Sequence, residues 1–153
     1  MEKKKQDLTP LMALERMRKY CDYQERCHRE VRTKLLELKV YGIDLEEVIS
    51  SLIQEGYLNE ERFAIAFVSG KFRIKRWGRN KIILELKKRD VSEYCIESGL
   101  NQIDERDYNK AIRYQIDKAK SMGAKTDFDI LQYTMRKGFE NSLVKKILSN
   151  DTK

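Results

Sequence analysis

The sequence predicts an all-α protein of three tandem three-helix repeats, each helix-turn-helix-like, stacked as an elongated, curved array. Three observations carry this. A 48-residue shift of the chain against itself superimposes one apolar register: Leu35 on Ile83 and Leu131, Ile43 on Val91 and Phe139, Val48 on Ile96 and Val144, Leu52 on Leu100 and Leu148. Gly42, Asp90 and Gly138 fall at the turn between the first two members of that set, so the shared unit contains helix, tight turn and helix. The whole chain of 153 residues holds one proline and seven glycines, and no segment alternates polar and apolar residues long enough to form a strand. An upstream helix completes each copy, with Met17, Ala64 and Ala111, and likewise Tyr20, Phe67 and Tyr114, aligned one residue out of phase. A loop absorbs such a slip. A unit of about fifty residues buries too little surface to stand alone, so stacked neighbours complete one another's cores.

The punctuation gives the elements in order. Residues 1–9 form a disordered basic N-terminus, and residues 10–58, 59–103 and 104–150 form the three repeats. Thr9 caps a helix whose first residue is Pro10 and which runs to about Tyr23. A second helix spans about Arg26 to Tyr41, buries Val31, Leu35 and Leu38, and stops at a left-handed Gly42. Asp44 and Glu47 resemble a capping box that opens a third helix ending at Gly56. Asn59 caps Glu60 to about Lys75, Gly78 breaks the chain before Arg79 to Arg89, and Ser92 caps a shorter helix to Leu100. Asp104 caps a long helix to about Met122, Thr126 caps the next to Lys137, and Gly138 precedes a last helix from Glu140 to Ser149. Tyr57, Leu58, Phe63 and Ala64 are expected at the joint between the first two repeats.

Composition bounds the function. The chain is 41% hydrophobic and 37% charged, against about 25% charged in an average domain, so its helices are narrow amphipaths with large polar faces. No apolar run approaches the roughly 20 residues of a membrane span, and Met1 to Gln6 lacks the apolar stretch of a signal peptide, which places the expected location in the cytoplasm. Cys21, Cys27 and Cys95 are odd in number and show no Cys-x-x-Cys spacing, so reduced thiols are expected rather than disulfides or a zinc finger.

Three-helix units of this kind bind nucleic acid or protein. Net charge is +7 and the isoelectric point about 9.2, compatible with an anionic partner. The excess lies away from the N-terminus: residues 1–56 carry eleven bases and eleven acids, residues 57–105 ten and eight, and residues 106–153 eleven and six. The densest stretch runs from Lys71 to Lys81, where Lys71, Arg73, Lys75, Arg76, Arg79 and Lys81 occur without an acid and Phe72 and Trp77 are interleaved. Long cations meet phosphates, and an exposed aromatic stacks on an unpaired base. Trp77 admits two readings, a stacking platform or a ring packed inward beneath Gly78. Lys87, Lys88 and Arg89 also complement the C-terminal dipole of their own helix. Arg79 and Lys81 are expected to be exposed, so that replacing them leaves folding nearly intact.

No catalytic constellation is evident. The one histidine, His28, has no nucleophile at a meaningful spacing, and with Cys21 and Cys27 it lacks a fourth metal ligand. Glu46 with Glu47, and Glu60 with Glu61, sit in first turns where acids stabilise a helix N-terminus, and no phosphate-binding Gly-x-x-x-x-Gly-Lys loop occurs. The chain is expected to be a binding protein without enzymatic activity, cofactor or metal.

These residues resemble the RecX family of recombinase regulators. The run Glu55-Gly56-Tyr57-Leu58-Asn59-Glu60-Glu61-Arg62-Phe63-Ala64 carries the likeness, with Gly78-Arg79-Asn80-Lys81-Ile82 and Leu86 after it, and Glu30-Val31-Arg32-Thr33-Lys34-Leu35 with Gly42-Ile43 before it. It covers about Ala13 to Leu148. Glu60 replaces the family's usual Asp, and Asp90-Val91 its usual Gly-Ile, a swap that Asp tolerates in a left-handed turn. The third repeat matches weakly beyond its register. The resemblance implies a monomeric modulator, typically an inhibitor, of the RecA-type recombinase filament on single-stranded DNA, acting in repair, homologous recombination and the SOS response, with double-stranded DNA as a further ligand. Two other classes stay open: a helix-turn-helix transcription regulator reading bases through Arg79, Asn80 and Lys81, and a helical-repeat scaffold that does not bind DNA.

Overall fold

The computed structural model describes residues 8–151; most of the expected N-terminal tail, residues 1–7, lies outside them. Among the described residues there are nine α-helices and no strand: α1 Pro10–Tyr23, α2 His28–Glu37, α3 Gly42–Gln54, α4 Glu60–Arg73, α5 Arg79–Lys88, α6 Glu93–Leu100, α7 Glu105–Ser121, α8 Asp127–Arg136 and α9 Asn141–Asp151. The chain divides into two compact units, the first ending at Phe63 and the second starting at Ala64.

In the first unit α1 and α2 both pack on α3. Thr9 accepts the Met12 N–H through its hydroxyl at 3.2 Å, and Pro10 supplies the first helical φ. The apolar stripes of the three helices, Ala13, Leu14, Met17, Val31, Leu35, Leu45, Val48, Ile49 and Leu52, close one core, capped by Leu58. Arg18 reaches Glu55 in a forked pair of 2.8 and 2.6 Å, tying α1 to the end of α3. Arg62 bonds Glu25 at 2.5 Å and the carbonyls of Gly56 and Tyr57, which satisfies acceptors just beyond α3.

In the second unit the expected caps form. Ser92, Asp104 and Thr126 accept the backbone N–H groups of Cys95, Arg106 and Asp129 at the starts of α6, α7 and α8. Tyr108, Ile112, Ile116, Ile130, Phe139, Val144 and Leu148 build a core lined on one side by Phe72. Val68, Ile82, Leu86, Val91 and Ile96 are buried as well.

The structure corrects the register of the first repeat. α2 ends at Glu37, short of Gly42, and the left-handed residue that closes it is Lys39, with φ 62°; Gly42 is left-handed too, at φ 60°, but it opens α3. The Lys39 N–H donates to the Leu36 carbonyl and the Val40 N–H to the Leu35 carbonyl, the paired bonds of a Schellman turn. Asp90 and Val91 close α5 identically on Lys87 and Leu86, and Gly138 and Phe139 close α8 on Met135 and Thr134. The equivalent turn residues are therefore Lys39, Asp90 and Gly138. The repeat distance is 48 from Asp90 to Gly138 but 51 from Lys39 to Asp90. Consequently Ile43, aligned with buried Val91 and Phe139, is 77% exposed, and the residue that occupies their place is Val40, at 4%. Gly42 begins α3, which starts two residues before the expected Asp44 cap.

Candidate nucleic-acid interface

The basic segment begins in the last turn of α4, where Lys71 and Arg73 complement the carbonyl end of the helix. The chain then folds back: the Trp77 N–H donates to the Lys71 carbonyl at 3.0 Å, and Arg76 takes a left-handed φ of 60°. Beyond it the backbone docks on the turn between α8 and α9. The Gly78 N–H donates to the Lys137 carbonyl at 2.7 Å and the Asn80 N–H to the Gly138 carbonyl at 2.9 Å. This contact needs two glycines. A Cβ on Gly78 would lie 2.4 Å from the Gly138 oxygen, and one on Gly138 would lie 2.4 Å from the Lys81 Cβ. Gln115, buried on α7, adds a bond from Nε2 to the Arg76 carbonyl at 3.1 Å. The segment is thus a fixed strap rather than a loose solvated linker.

The expected site residues separate by what holds their charge. Arg79 departs from the expectation of an exposed cation. Its side chain is 20% exposed, and its guanidinium bonds Glu140 at 3.0 Å and Glu105 at 2.8 Å while lying 3.8 Å from the Tyr108 ring centre. Its own N–H donates to the Tyr108 hydroxyl at 3.0 Å, and that hydroxyl donates in turn to Glu140. Burial pushes the Tyr108 phenol above its usual range. The cause lies in the fold: Gly78 brings the start of α5 against the turn between α8 and α9, so Arg79 is drawn onto two carboxylates and becomes part of the framework. Arg89 is half-buried, bonded to Glu85 and 4.9 Å from the Phe67 ring centre, and Lys88 also reaches Glu85. These two bonds hold the Glu85 carboxyl below the usual carboxylate range. Lys87 is exposed in the last turn of α5.

The remaining cations have no carboxylate partner among the described residues. Lys71 and Lys81 place their ammonium groups 5.0 and 4.6 Å from the centre of the Trp77 ring, and Arg76 lays its guanidinium 3.8 Å from the Tyr114 ring centre. Arg73 and Lys75 are exposed. Trp77 is half-buried and holds two cations, an arrangement between the two readings its sequence allowed. A cation oriented by an aromatic face keeps its full charge for an anion outside, whereas one oriented by a carboxylate is already neutralised.

Beside the strap lies an open depression of about 380 Å³ lined by Phe72, Arg73, Arg76, Asp107, Lys110, Ala111 and Tyr114. Sequence reasoning placed Tyr114 only in the repeat register and did not single out Lys110 or Gln115. Their signal is the 3.6-residue period of α7, which puts Asp107, Lys110, Ala111 and Tyr114 on one face, but only the fold brings that face to Arg73 and Arg76. Among the described residues no group of His, Cys, Asp or Glu is placed to hold a metal ion, and no helix is long and apolar enough to cross a membrane. Burial pushes the Cys21 and Cys27 thiols up to about 11.

Comparison with known proteins adds a family. Residues 59–100 match the family model described as RecX, second three-helix domain. The chain is 29% identical over 132 residues to the regulatory protein RecX of Bacillus cytotoxicus, covering 86% of this chain and 47% of that protein. It is 28% identical over 134 residues to the RecX of Clostridium perfringens strain 13, covering 80% and 62% respectively. It thus spans about half to three-fifths of the length of these relatives. Two crystal structures share the fold. One, of a regulatory protein RecX, has a TM-score of 0.83 at 19% identity, covering 92% of this chain and 73% of that one. The other, of RecX from Lactobacillus salivarius, has a TM-score of 0.81 at 20% identity, covering 92% and 95%.

Proposed function

Because this chain belongs to the RecX family, we propose that it modulates, and by default inhibits, a RecA-type recombinase by binding its nucleoprotein filament on single-stranded DNA. Repair, recombination and the damage response are the setting this reading implies. The observation that supports it best is the strap from Lys71 to Lys81, where Lys71, Arg76 and Lys81 lie against aromatic rings, Arg73 and Lys75 are exposed, and none of the five has a carboxylate partner among the described residues. Such a surface favours an anionic, repetitive ligand. No chemistry is required of the protein. A ligand that prefers disassembling to assembling filament states shifts that equilibrium by its difference in affinity. We read the nine helices of the described residues as three triplets, 10–58, 59–103 and 104–150, that act as a monomer in the cytoplasm.

A base-reading helix is the less favoured alternative. Arg79 is occupied by Glu105 and Glu140, and the Asn80 N–H by Gly138, so the start of α5 is engaged with its own chain. A scaffold that ignores DNA would show no salt-sensitive oligonucleotide binding. The deciding experiment measures recombinase ATPase on single-stranded DNA with this protein at substoichiometric ratio. Suppressed or altered turnover supports the reading, and unchanged turnover up to equimolar protein refutes it.

A further inference from the structure

The geometry points to the depression between the end of α4 and α7 as a seat for one phosphodiester of a nucleic-acid strand, gripped jointly by Arg73, Arg76 and Lys110. This rests on the reading of the chain as a nucleic-acid-binding regulator and assigns it a specific contact point. Three cations and one acid, Asp107, line the depression, leaving two net positive charges, and none of the three cations pairs with a carboxylate among the described residues. Phe72 and Ala111 supply apolar lining beside them, which weakens the competition from water.

Arg76 makes the seat specific. Its guanidinium lies 3.8 Å from the Tyr114 ring centre, an arrangement that occupies its face and leaves the N–H donors of its edge in the plane of the group. That edge matches two oxygens of a phosphate. The backbone beneath it is immobilised as well: Gln115 holds the Arg76 carbonyl, and the Gly78 N–H is bonded to Lys137 two residues on. The arginine is therefore oriented before any ligand arrives, and binding costs little side-chain entropy. Arg73 on α4 and Lys110 on α7 flank it from two different helices. Neither is ordered by an aromatic ring, so their role is charge while that of Arg76 is geometry.

Sharing one phosphate has a signature that three separate contacts lack. Each phosphate neutralised contributes about 0.7 to the slope of log affinity against log salt on single strands. Binding of the full chain to a fluorescent oligothymidylate is measured across a salt series for wild type, for R73Q, R76Q and K110Q singly, and for the three together. Trp77 fluorescence melts confirm folding. We expect the triple variant to lose about 0.7 of slope in total, R76Q to lose more affinity than K110Q, and R76K not to restore it. An unchanged slope, or a loss near 2.1 from three independent phosphates, overturns the seat. Oligouridylate should respond to the variants as oligothymidylate does, and a loss confined to either names that strand as the source. Polyglutamate bound in place of the oligonucleotide, with the same sensitivity to the variants, would assign the depression to an acidic protein segment and overturn the proposal. Should the triple variant still suppress recombinase ATPase at wild-type potency while its salt slope is unchanged, the seat fails and the regulator reading survives. Wild-type protein that leaves the ATPase unaffected defeats that reading, and the oligonucleotide slopes then decide the seat alone.

Discussion

Gly78→Ala should disrupt the strap at its anchor, and the cost can be worked from the contact. The added Cβ would lie 2.4, 2.5 and 2.6 Å from the Gly138 oxygen, the Gly138 carbonyl carbon and the Phe139 nitrogen, all backbone atoms that cannot rotate away. The two backbones must part by about 1 Å to restore ordinary contact. That stretches the Gly78 to Lys137 and Asn80 to Gly138 hydrogen bonds beyond useful length. Losing both costs about 2 kcal/mol, and overpacking adds about 1–3 kcal/mol, for a total of about 3–5 kcal/mol. Backbone strain adds nothing, because Gly78 has an extended φ of −82° that alanine adopts freely. Gly70→Ala is the control: it sits inside α4 with open space around the position of its Cβ, and should stabilise by about 0.5–1 kcal/mol. Trp77, the only tryptophan of the chain, is adjacent to Gly78, so its fluorescence during urea unfolding reports on this unit. A stability for Gly78→Ala within 0.5 kcal/mol of wild type would refute the close approach and the fixed strap with it.

Arg79→Ala should destabilise by about 1–3 kcal/mol, because it removes a guanidinium bonded to Glu140 and lying against the Tyr108 ring, whereas Lys81→Ala should stay within about 1 kcal/mol of wild type; equal effects in thermal melts would undo the distinction. Phe63→Ala, at a site 5% exposed, should cost about 3–5 kcal/mol and lower filament regulation and melting temperature together. Replacing Lys71, Arg73 and Lys75 by Ala should weaken binding to single strands of any sequence and reduce its salt dependence, and unchanged titrations would place the DNA surface elsewhere. Cys21 and Cys27 have thiols raised to about 11 by burial, so at pH 8 they are protonated as well as inaccessible; mass spectrometry should show slow alkylation in the native protein and fast alkylation in denaturant.

The helix starts were the most legible features, since Thr9, Asn59, Ser92, Asp104 and Thr126 bind their neighbouring N–H groups through side-chain oxygens. A cap is a local interaction, and local chemistry can be read from a window of four residues. The first turn misled because Gly42, left-handed at φ 60°, opens α3, while Lys39, left-handed without being glycine, closes α2. A Schellman closure depends on where the apolar pair Leu35 and Val40 can meet, not on the presence of glycine. Arg79 misled for another reason. Its partners Glu105 and Glu140 lie 26 and 61 residues away, a separation at which sequence carries no mark of pairing. The same holds for Lys110 and Tyr114, whose place beside Arg73 and Arg76 exists only after α7 has packed against the end of α4.

The approach of Gly78 to Gly138 also bears on how fast this unit comes apart. Their separation of sixty positions makes this contact far less local than the helix-to-helix pairings around it, and closing such a loop costs about 3.6 kcal/mol of chain entropy. Interactions of that span tend to consolidate after the folding barrier, behind the local pairing of α7 with α8 and α8 with α9. Weakening the strap should then accelerate the unfolding arm of the chevron while leaving the refolding arm nearly unchanged. The strap would in that case govern the lifetime of the folded unit, and with it the time the basic surface stays assembled.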